Sequence, residues 1–331
     1  MADAGPPILY SFRRCPYAIR ARLALARSGW RPGRDLEVRE VHLAARPPEL
    51  LAANPAATVP VLVRPDRGPH RTLVDSLAIM EAAGGAMASG LARAAARALI
   101  AENDGPFKHH LDRWKYPERH AGAAMGGLAA ADHRQAALAI LRRWNGLLEG
   151  GESPLAEAGD AGMDPAAMAL LPFVRQFAQV DPAGWSAEPG IGALRAWLAR
   201  GLADPLLAAV LAPPWAQRRP WLSPRWIYHL ALAPEWQQAR QQGLYERSTR
   251  GLSLAEVGFV HASYAHQVAA TFERFYADAG PVRLLCIDPA ALGTALRPEP
   301  APDSGELFPH LHGPLPLQAV VAVLPWRHGD G

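Results

Sequence analysis

The sequence has only two cysteines in its 331 residues, Cys15 and Cys286, and they lie far apart. Two distant cysteines form neither a disulfide framework nor a paired metal-binding motif, and their scarcity fits a reducing compartment. No run of about 18 apolar residues is present that would span a membrane. The first residues also lack the basic segment followed by an apolar segment that is typical of a signal peptide. We therefore expect a cytoplasmic protein that does not bind a membrane.

Lysine is also scarce, because Lys108 and Lys115 are the only lysines among 34 basic side chains. Basic side chains exceed acidic ones by three. No stripe of arginines interleaved with aromatic residues is present, so we expect no nucleic-acid partner. With 50% apolar and 20% charged residues, the chain has an ordinary globular composition, and its length suits two or three domains.

The most informative stretch surrounds Cys15. Residues 8–10 are typical of a short strand, residues 11–14 of a turn, and Cys15-Pro16 of a helix start. A cysteine at a helix start faces free backbone N–H groups and the positive end of the helix dipole, which favour thiolate over thiol. The pattern therefore predicts a nucleophilic, acidified thiol at Cys15. The alternative is a small buried hydrophobic residue.

Two further motifs follow in order along the chain. They are Thr-Val-Pro-Val-Leu at residues 58–62 and Asp-Ser-x-Ala-Ile at residues 75–79. Together with Cys-Pro-Tyr-Ala at residues 15–18, they resemble the α/β thioredoxin-like N-terminal domain of the glutathione transferases, over about residues 7–83. We expect this domain to span residues 1–86.

The resemblance implies that glutathione is a cosubstrate. It implies a cis Val59-Pro60 bond that turns the Val59 backbone toward the cysteinyl part of glutathione. It also implies that Asp75 and Ser76 hold the γ-glutamyl end, where a carboxylate meets a helix start. The remaining glutathione-binding candidates are Tyr17, beside the sulfur, and Arg46, for the glycyl carboxylate.

Each of these residues also has an ordinary structural interpretation. Asp75 and Ser76 suit a simple helix cap, and Pro60 suits an edge strand. Tyr17 can fill the core, and Arg46 can be a solvated surface side chain.

The reaction at Cys15 has more than one interpretation. Ala18 stands where a second cysteine would complete a redox pair, so a redox cycle has to pass through a mixed disulfide that a second glutathione resolves. We prefer this thiol–disulfide exchange at Cys15. Ser11 is the alternative residue for activating the glutathione thiol, because some members of the family use a serine or tyrosine near the end of the first strand. Two further possibilities are conjugation of glutathione to a hydrophobic electrophile and a non-catalytic scaffold that binds glutathione.

Residues 87–217 read as a series of helices and resemble the all-helical C-terminal domain of the glutathione transferases. Asp164-Pro165 begins the predicted central helix, although Ala167 replaces the usual acidic residue of the cap. The resemblance implies a hydrophobic co-substrate site, with candidates Phe107, Lys108, Trp114 and Tyr116. Packing between helices is the alternative for Phe107 and Trp114. A homodimer is expected by analogy with the family.

The last segment, expected at residues 225–327, predicts a compact α+β domain. Ile-Tyr-His at 227–229, Gly-Phe-Val-His-Ala-Ser at 258–263 and Phe-Pro-His-Leu-His-Gly-Pro-Leu at 308–315 resemble a small bacterial family, domain of unknown function 952. That family's fold is thought to be similar to the ADP-ribosyltransferases. This implies a nucleotide-binding pocket of the NAD type.

The resemblance places several polar side chains in the pocket of this last domain. The candidates are His229, His261, Ser263, His310, and either Glu299 or Glu306, of which we prefer Glu306. The histidines are not spaced as a local His-x-x-x-His pair, and no Cys-x-x-Cys occurs, so we expect no metal site.

Overall fold

The structure is a computed structural model, and it describes residues 5–65, 72–120, 129–151, 155, 163–302 and 304–327. The chain folds into two compact units. The first unit comprises residues 1–39 and 58–217, and the second comprises residues 40–57 and 218–331. No helix in the described ranges combines the length and the apolar character that a membrane span requires.

The chain begins with alternating strands and helices. The strands are β1 (Ile8–Ser11), β2 (Glu37–Glu40), β3 (Val61–Val63) and β4 (Thr72–Leu73), and the helices are α1 (Pro16–Arg27), α2 (Pro48–Ala53) and α3 (Ser76–Ala82). The four strands form one sheet in the order β2-β1-β3-β4. β3 runs antiparallel to both β1 and β4. This is the expected α/β arrangement, and it brings the end of β1 and the start of β3 side by side.

Helix α1 is the buried helix of this part of the chain. Pro16 occupies its first turn, where the missing N–H is not needed. The helix ends at Arg27, and Gly29 then adopts a left-handed backbone with φ of 85°. Its buried positions include two arginines, Arg20 and Arg22, among the apolar residues. A buried arginine requires partners, and these partners shape the first candidate site.

The rest of the first unit is helical. The helices are α4 (Gly85–Ala92), α5 (Ala94–Glu102), α6 (Lys108–Lys115), α7 (Ala130–Glu149), α8 (Pro165–Val180), α9 (Pro182–Ala187), α10 (Gly192–Ala203) and α11 (Pro205–Leu211). A π-helical turn, Asn103–Phe107, joins α5 to α6, and a short 3-10 turn, Pro117–Arg119, follows α6. The π-helical turn contains Pro106, which has no N–H to continue a regular ladder.

Helix α8 forms the centre of the core of this unit. The Asp164 carboxylate accepts a hydrogen bond of 2.8 Å from the backbone N–H of Ala166 and caps the helix as predicted. Ten residues of α8 are buried, among them Phe173 and Phe177. At the start of this helical series, α4 and α5 are separate helices, because Arg93 between them has an extended backbone, with ψ of 134°.

The second unit contains two main sheets. Its strands are β5 (Ile227–Leu232), β6 (Leu244–Tyr245), β7 (Arg247–Thr249), β8 (Leu252–Ser253), β9 (Val260–His261), β10 (Ser263–Tyr264), β11 (Val282–Ile287), β12 (Leu296–Pro300), β13 (Leu307–Leu311), β14 (Leu315–Pro316) and β15 (Val320–Trp326), and its helices are α2, α12 (Ala233–Gln242), α13 (Leu254–Val257) and α14 (Val268–Phe275). One sheet has the order β10-β5-β11-β15 and the other β12-β13-β9.

Strand β5 places side chains on both faces of the first of these sheets, and both faces are buried. Tyr228 and Leu230 belong to one buried cluster, and Ile227 and Ala231 to another. The alternation follows from the two-residue period of a strand. Because both faces are covered, the strand reads as the continuous apolar run that the sequence shows.

Residues 40–57 belong to the second unit through specific contacts. The Glu40 carbonyl accepts a hydrogen bond of 2.7 Å from the backbone N–H of Trp221. The Glu49 carboxylate accepts a hydrogen bond of 3.0 Å from the Ser223 hydroxyl, and Ala45 joins the buried cluster of Tyr228 and Leu230. Nothing in the local sequence pattern predicts these contacts between distant residues.

Candidate functional site

The first candidate site lies at the start of α1. Cys15 precedes Pro16, the first residue of the helix, and its side chain is half-buried. Its Sγ lies 3.8 Å from the carbonyl oxygen of Val59. The Val59–Pro60 peptide bond is cis, as the resemblance implies. The fold therefore brings the predicted thiol next to the residue predicted to bind a peptide backbone.

The acidity of the Cys15 thiol differs from the expectation. Burial raises the pKa of Cys15 above its ordinary value and outweighs all opposing effects. The backbone N–H groups of Ala18 and Tyr17 and the charges of Lys108 and Arg22 lower that pKa. The prediction of an acidified thiol is wrong for the free protein, because the helix start is visible in the sequence but the loss of water around the sulfur is not.

Asp75 and Ser76 stand at the start of α3. The exposed Asp75 carboxylate accepts hydrogen bonds from the backbone N–H groups of Leu77, at 2.8 Å, and Ala78, at 3.0 Å. Asp75 therefore caps the helix, and a capping role does not prevent its exposed carboxylate from meeting an ammonium group. Ser76 is buried.

A buried arginine that the sequence analysis did not single out holds Ser76. The Arg20 guanidinium donates to the Ser76 hydroxyl from Nε, at 3.0 Å, and from Nη2, at 2.8 Å. The same guanidinium makes a bidentate ion pair with Asp104, with both distances at 2.8 Å. The arrangement joins α1, the start of α3 and the π-helical turn. Its one signal in the sequence is an arginine within the apolar stripe of α1.

The alternative activating residue, Ser11, is fully buried. Its hydroxyl accepts a hydrogen bond of 2.6 Å from Nη1 of Arg22. These contacts favour Cys15 over Ser11. The Tyr17 ring packs edge-on against Phe173, with centroids 4.8 Å apart, and burial raises the pKa of Tyr17 to about 12. Tyr17 therefore stays neutral near physiological pH.

The four candidates for a hydrophobic co-substrate site have different environments. Phe107 is fully buried and packs against Trp144 and Phe177. Its assignment to a co-substrate surface is therefore a correction, because a side chain with no exposed area meets no ligand. Trp114 also packs on Phe177, with centroids 4.5 Å apart.

Lys108 and Tyr116 keep some exposure. The Lys108 ammonium pairs with Asp112 and lies 5.6 Å from the centroid of the Tyr17 ring. Tyr116 follows α6, and the Arg119 guanidinium stacks over its ring at 4.1 Å. Arg46 is exposed and belongs to the second unit, so its assignment to glutathione stays a prediction.

The second candidate site is a cavity of about 540 Å³ in the second unit. Its lining contains all five side chains that the sequence analysis assigned to a pocket. These are His229, His261, Ser263, Glu306 and His310. They come from β5, β9, β10, the residue before β13, and β13, so the convergence depends on the fold rather than on local spacing.

His229 has partners on both ring nitrogens. Nδ1 lies 2.6 Å from the His261 carbonyl oxygen, and Nε2 lies 2.9 Å from the Tyr245 hydroxyl. Burial lowers the pKa of His229 to about 4, so the ring is neutral near pH 7. The His261 carbonyl can only accept a hydrogen bond, so Nδ1 carries the hydrogen and Nε2 accepts a hydrogen bond from the Tyr245 hydroxyl.

His310 and His312 share one carboxylate. Glu299 lies 2.8 Å from Nδ1 of His310 and 3.0 Å from Nε2 of His312. Phe259 stacks on the His310 ring, with centroids 4.0 Å apart. The preferred residue Glu306 instead accepts a hydrogen bond of 2.7 Å from Nε2 of the Gln267 amide. Both acidic candidates therefore occur beside the cavity residues, but Glu299 is the one that pairs with a histidine of the predicted set, His310.

Two family models match the chain. Residues 9–85 match the model described as glutathione S-transferase, N-terminal domain. Residues 230–323 match the model described as protein of unknown function (DUF952). The comparison with curated proteins found no match.

Several solved structures are similar to parts of the chain. A glutathione transferase family member from Pseudomonas fluorescens, with two glutathione bound, is 19% identical, with 64% of this chain and 94% of that chain covered and a TM-score of 0.50. A glutathione transferase from Burkholderia graminis, with two glutathione molecules per subunit, is 21% identical, with 65% and 90% covered and a TM-score of 0.50. Protein CC0527 from Caulobacter crescentus is 29% identical, with 30% and 84% covered and a TM-score of 0.28. The two transferases show the fold, which is a thioredoxin-like domain followed by a helical domain.

Proposed function

We propose that this protein is a glutathione-dependent thiol transferase with Cys15 as its nucleophile. Its chain joins a region that matches the glutathione S-transferase N-terminal domain to a region that matches DUF952. The observation that carries the proposal is the position of the Cys15 sulfur, 3.8 Å from the Val59 carbonyl oxygen at a cis Val59–Pro60 bond. A peptide that pairs with the Val59 backbone brings its own sulfur near Cys15. The glutathione bound in the two transferases described above supports glutathione as that peptide.

The binding of glutathione is proposed to use both polar ends of the site. The exposed Asp75 carboxylate faces the γ-glutamyl ammonium, and the start of α3 with Ser76 meets the γ-glutamyl carboxylate. Arg20 acts as a positioning residue and does not contact glutathione itself. It holds Ser76 through the hydrogen bonds of 3.0 and 2.8 Å described above.

The reaction begins when the Cys15 thiolate attacks the glutathione sulfur of a glutathionylated substrate. A Cys15–glutathione disulfide forms, and the substrate leaves as a thiolate that takes a proton from water. The thiolate of a second glutathione then attacks the glutathione sulfur of this mixed disulfide. Oxidised glutathione is released and the Cys15 thiolate returns. The net reaction consumes one reduced glutathione for each glutathionylated substrate and yields the substrate thiol and oxidised glutathione.

The raised pKa of Cys15 sets a condition on this chemistry. The thiolate is a minor species near neutral pH, because burial penalises the charge more than Lys108, Arg22 and the helix start favour it. A thiolate with a high pKa is, however, intrinsically the stronger nucleophile. The proposed rate therefore increases with pH through the range in which Cys15 ionises.

The test compares the two cysteines of the chain. Cys15→Ser is expected to abolish reduction of a glutathionylated peptide by glutathione. Cys286→Ser is the matched control, since Cys286 is buried and its pKa is raised to about 12. Equal activity of both variants would contradict the proposal. Retained conjugation of glutathione to an electrophile by Cys15→Ala, without thiol transfer in the parent protein, would select conjugation instead. A parent protein that binds glutathione but shows neither activity would leave a glutathione-binding scaffold.

A second candidate function concerns the second unit. The convergence of His229, His261, Ser263, Glu306 and His310 on one cavity of about 540 Å³ favours a small-molecule site. We propose that it takes a nucleotide of the NAD type. The choice of that class rests on the ADP-ribosyltransferase-like fold that the resemblance to the DUF952 family implies. The fully buried His229 is held as a neutral acceptor, so its role would be to fix the cavity wall.

A heat-shift titration of the full chain with NAD tests this second proposal. NAD is expected to raise the melting temperature of the parent protein. His261→Ala should remove the shift, because this ring is part of the lining and is more accessible than His229. His109→Ala, on α6 of the first unit, is the control and should keep it. No shift with NAD would count against the nucleotide.

A further inference from the structure

Three histidines from two neighbouring helices of the first unit lie together outside both candidate sites. His109 and His110 are the second and third residues of α6, and His133 lies in the first turns of α7. One ligand atom from each ring lies within 4.8 Å of those from the other two. A metal site here differs from the expectation of none, which was based on the spacing of the histidines in the last domain and not on these three.

Two of the three rings are spaced almost as they would be around a metal ion. Nδ1 of His110 lies 2.8 Å from Nδ1 of His133. At that distance one nitrogen donates a hydrogen and the other offers its lone pair. Two nitrogens bound to one tetrahedral zinc ion at ordinary bond lengths lie about 3.3 Å apart. For this pair, a separation increase of about half an ångström would replace the shared hydrogen with a metal ion. The His109 ring, whose ligand atom lies within 4.8 Å of the other two, would rotate toward the ion.

Both basic and acidic side chains surround the three rings. Arg113 lies near all three rings, and His120 acts on His109 and His133. The acidic neighbours are Asp112, near His109, and Asp132, near His133. Burial is the largest effect and lowers the pKa of each of the three imidazoles. Neutral imidazoles are the form that binds a metal.

We propose that His109, His110 and His133 bind one divalent transition-metal ion of the zinc type. Three imidazoles suit zinc, nickel and copper, and exclude magnesium and calcium, which prefer oxygen ligands. His133 is buried, His110 is half-buried and His109 is exposed, so the ion can enter from the side of His109. The fourth position is left to water. The bound ion would tie α6 to α7. The proposal is independent of the thiol chemistry at Cys15.

The test is a titration of the untagged full chain with Zn²⁺, because a histidine tag would itself bind the ion. We expect one site per chain by calorimetry and a higher melting temperature in the presence of Zn²⁺. His109→Gln should weaken binding by more than about ten-fold, since loss of a direct ligand exceeds the effect of losing its supporting partner. This variant tests the site without a risk to folding, because His109 is exposed.

Two control variants make the result specific. His266→Gln removes an exposed histidine of the second unit, whose ring pairs with Glu306, and should keep full Zn²⁺ affinity. Cys15→Ser should also keep it, which would exclude the thiol as the ligand. Equal loss of affinity in His266→Gln and His109→Gln would overturn the proposal, as would unchanged affinity in His109→Gln.

Co²⁺ gives a second readout that does not depend on a variant. A tetrahedral site with three imidazoles gives Co²⁺ a strong visible absorption, and Zn²⁺ should displace it. A weak absorption, typical of Co²⁺ surrounded by six ligands such as water, would contradict a three-histidine site even where some Zn²⁺ binds. Mg²⁺ should neither displace Co²⁺ nor raise the melting temperature.

Discussion

The ion pair between Arg20 and Asp104 makes a prediction about stability whose magnitude follows from the burial of its two ends. The Arg20 side chain is 1% exposed, whereas that of Asp104 is 25% exposed. Asp104→Ala leaves a buried guanidinium with the Ser76 hydroxyl as a remaining partner, so we expect the free energy of unfolding to fall by about 3–5 kcal/mol. Arg20→Met leaves a carboxylate that water already reaches, and we expect a smaller loss of about 1–3 kcal/mol.

The double variant separates the charge from the packing. Arg20→Met with Asp104→Ala removes both charges and leaves the methionine side chain to fill much of the space of the arginine stem. Replacing a buried ion pair with apolar groups is often close to neutral. The double variant should therefore be more stable than Asp104→Ala alone.

The assay is urea unfolding, with hydrogen exchange of the amides in α1 as the probe. A chain with two units need not unfold in one step, and α1 reports on the first unit alone. A loss below about 1 kcal/mol for Asp104→Ala, or a larger loss for Arg20→Met than for Asp104→Ala, would refute the reasoning.

Three further predictions concern ionisation. First, the pKa of His229 is lowered to about 4, so the folded state binds a proton on this ring less readily than the unfolded state does. The free energy of unfolding of the second unit should therefore be constant above about pH 6.5 and fall by about 3 kcal/mol as the pH approaches 4. Urea unfolding at a series of pH values should find this loss much reduced in His229→Gln. Second, the pKa of Tyr17 is raised to about 12, so the pH dependence of thiol-transfer kcat/KM should be the same in Tyr17→Phe and the parent protein; a basic limb that disappears in the variant would assign the phenol a titrating role. Third, because burial raises the pKa of Cys15, its alkylation by iodoacetamide should accelerate by about ten-fold per pH unit from pH 7 to 9 without a plateau. A plateau near neutral pH would mean that the Cys15 thiol is acidified after all. The Cys15→Ser variant is the blank, because any alkylation it shows comes from the buried Cys286.

The sequence predicted the parts of the structure that depend on local chemistry. Cys15-Pro16 at a helix start, the cis Val59–Pro60 bond implied by the resemblance, and the Asp75 and Asp164 caps are all present. Each depends on a residue type with one strong conformational preference.

The sequence could not predict what depends on burial or on distant contacts. The raised pKa of Cys15 comes from the neighbours that cover the sulfur, and the pairing of Arg20 with Asp104 joins residues that are 84 positions apart. The motif Gly-Phe-Val-His-Ala-Ser at residues 258–263 is divided between β9 and β10, which belong to different sheets. Strands of two or three residues, such as β6 and β8, are too short to show a period of alternation.

Whether Cys15 forms a disulfide with glutathione can be read from the mass of the intact protein after incubation with oxidised glutathione. We expect the Cys286→Ser variant to gain the mass of one glutathionyl group, reduced glutathione to remove it, and peptide mapping to assign it to Cys15. An unmodified Cys15, or a Cys15→Ser variant that acquires the same group to the same extent, would show that Cys15 is not the nucleophile.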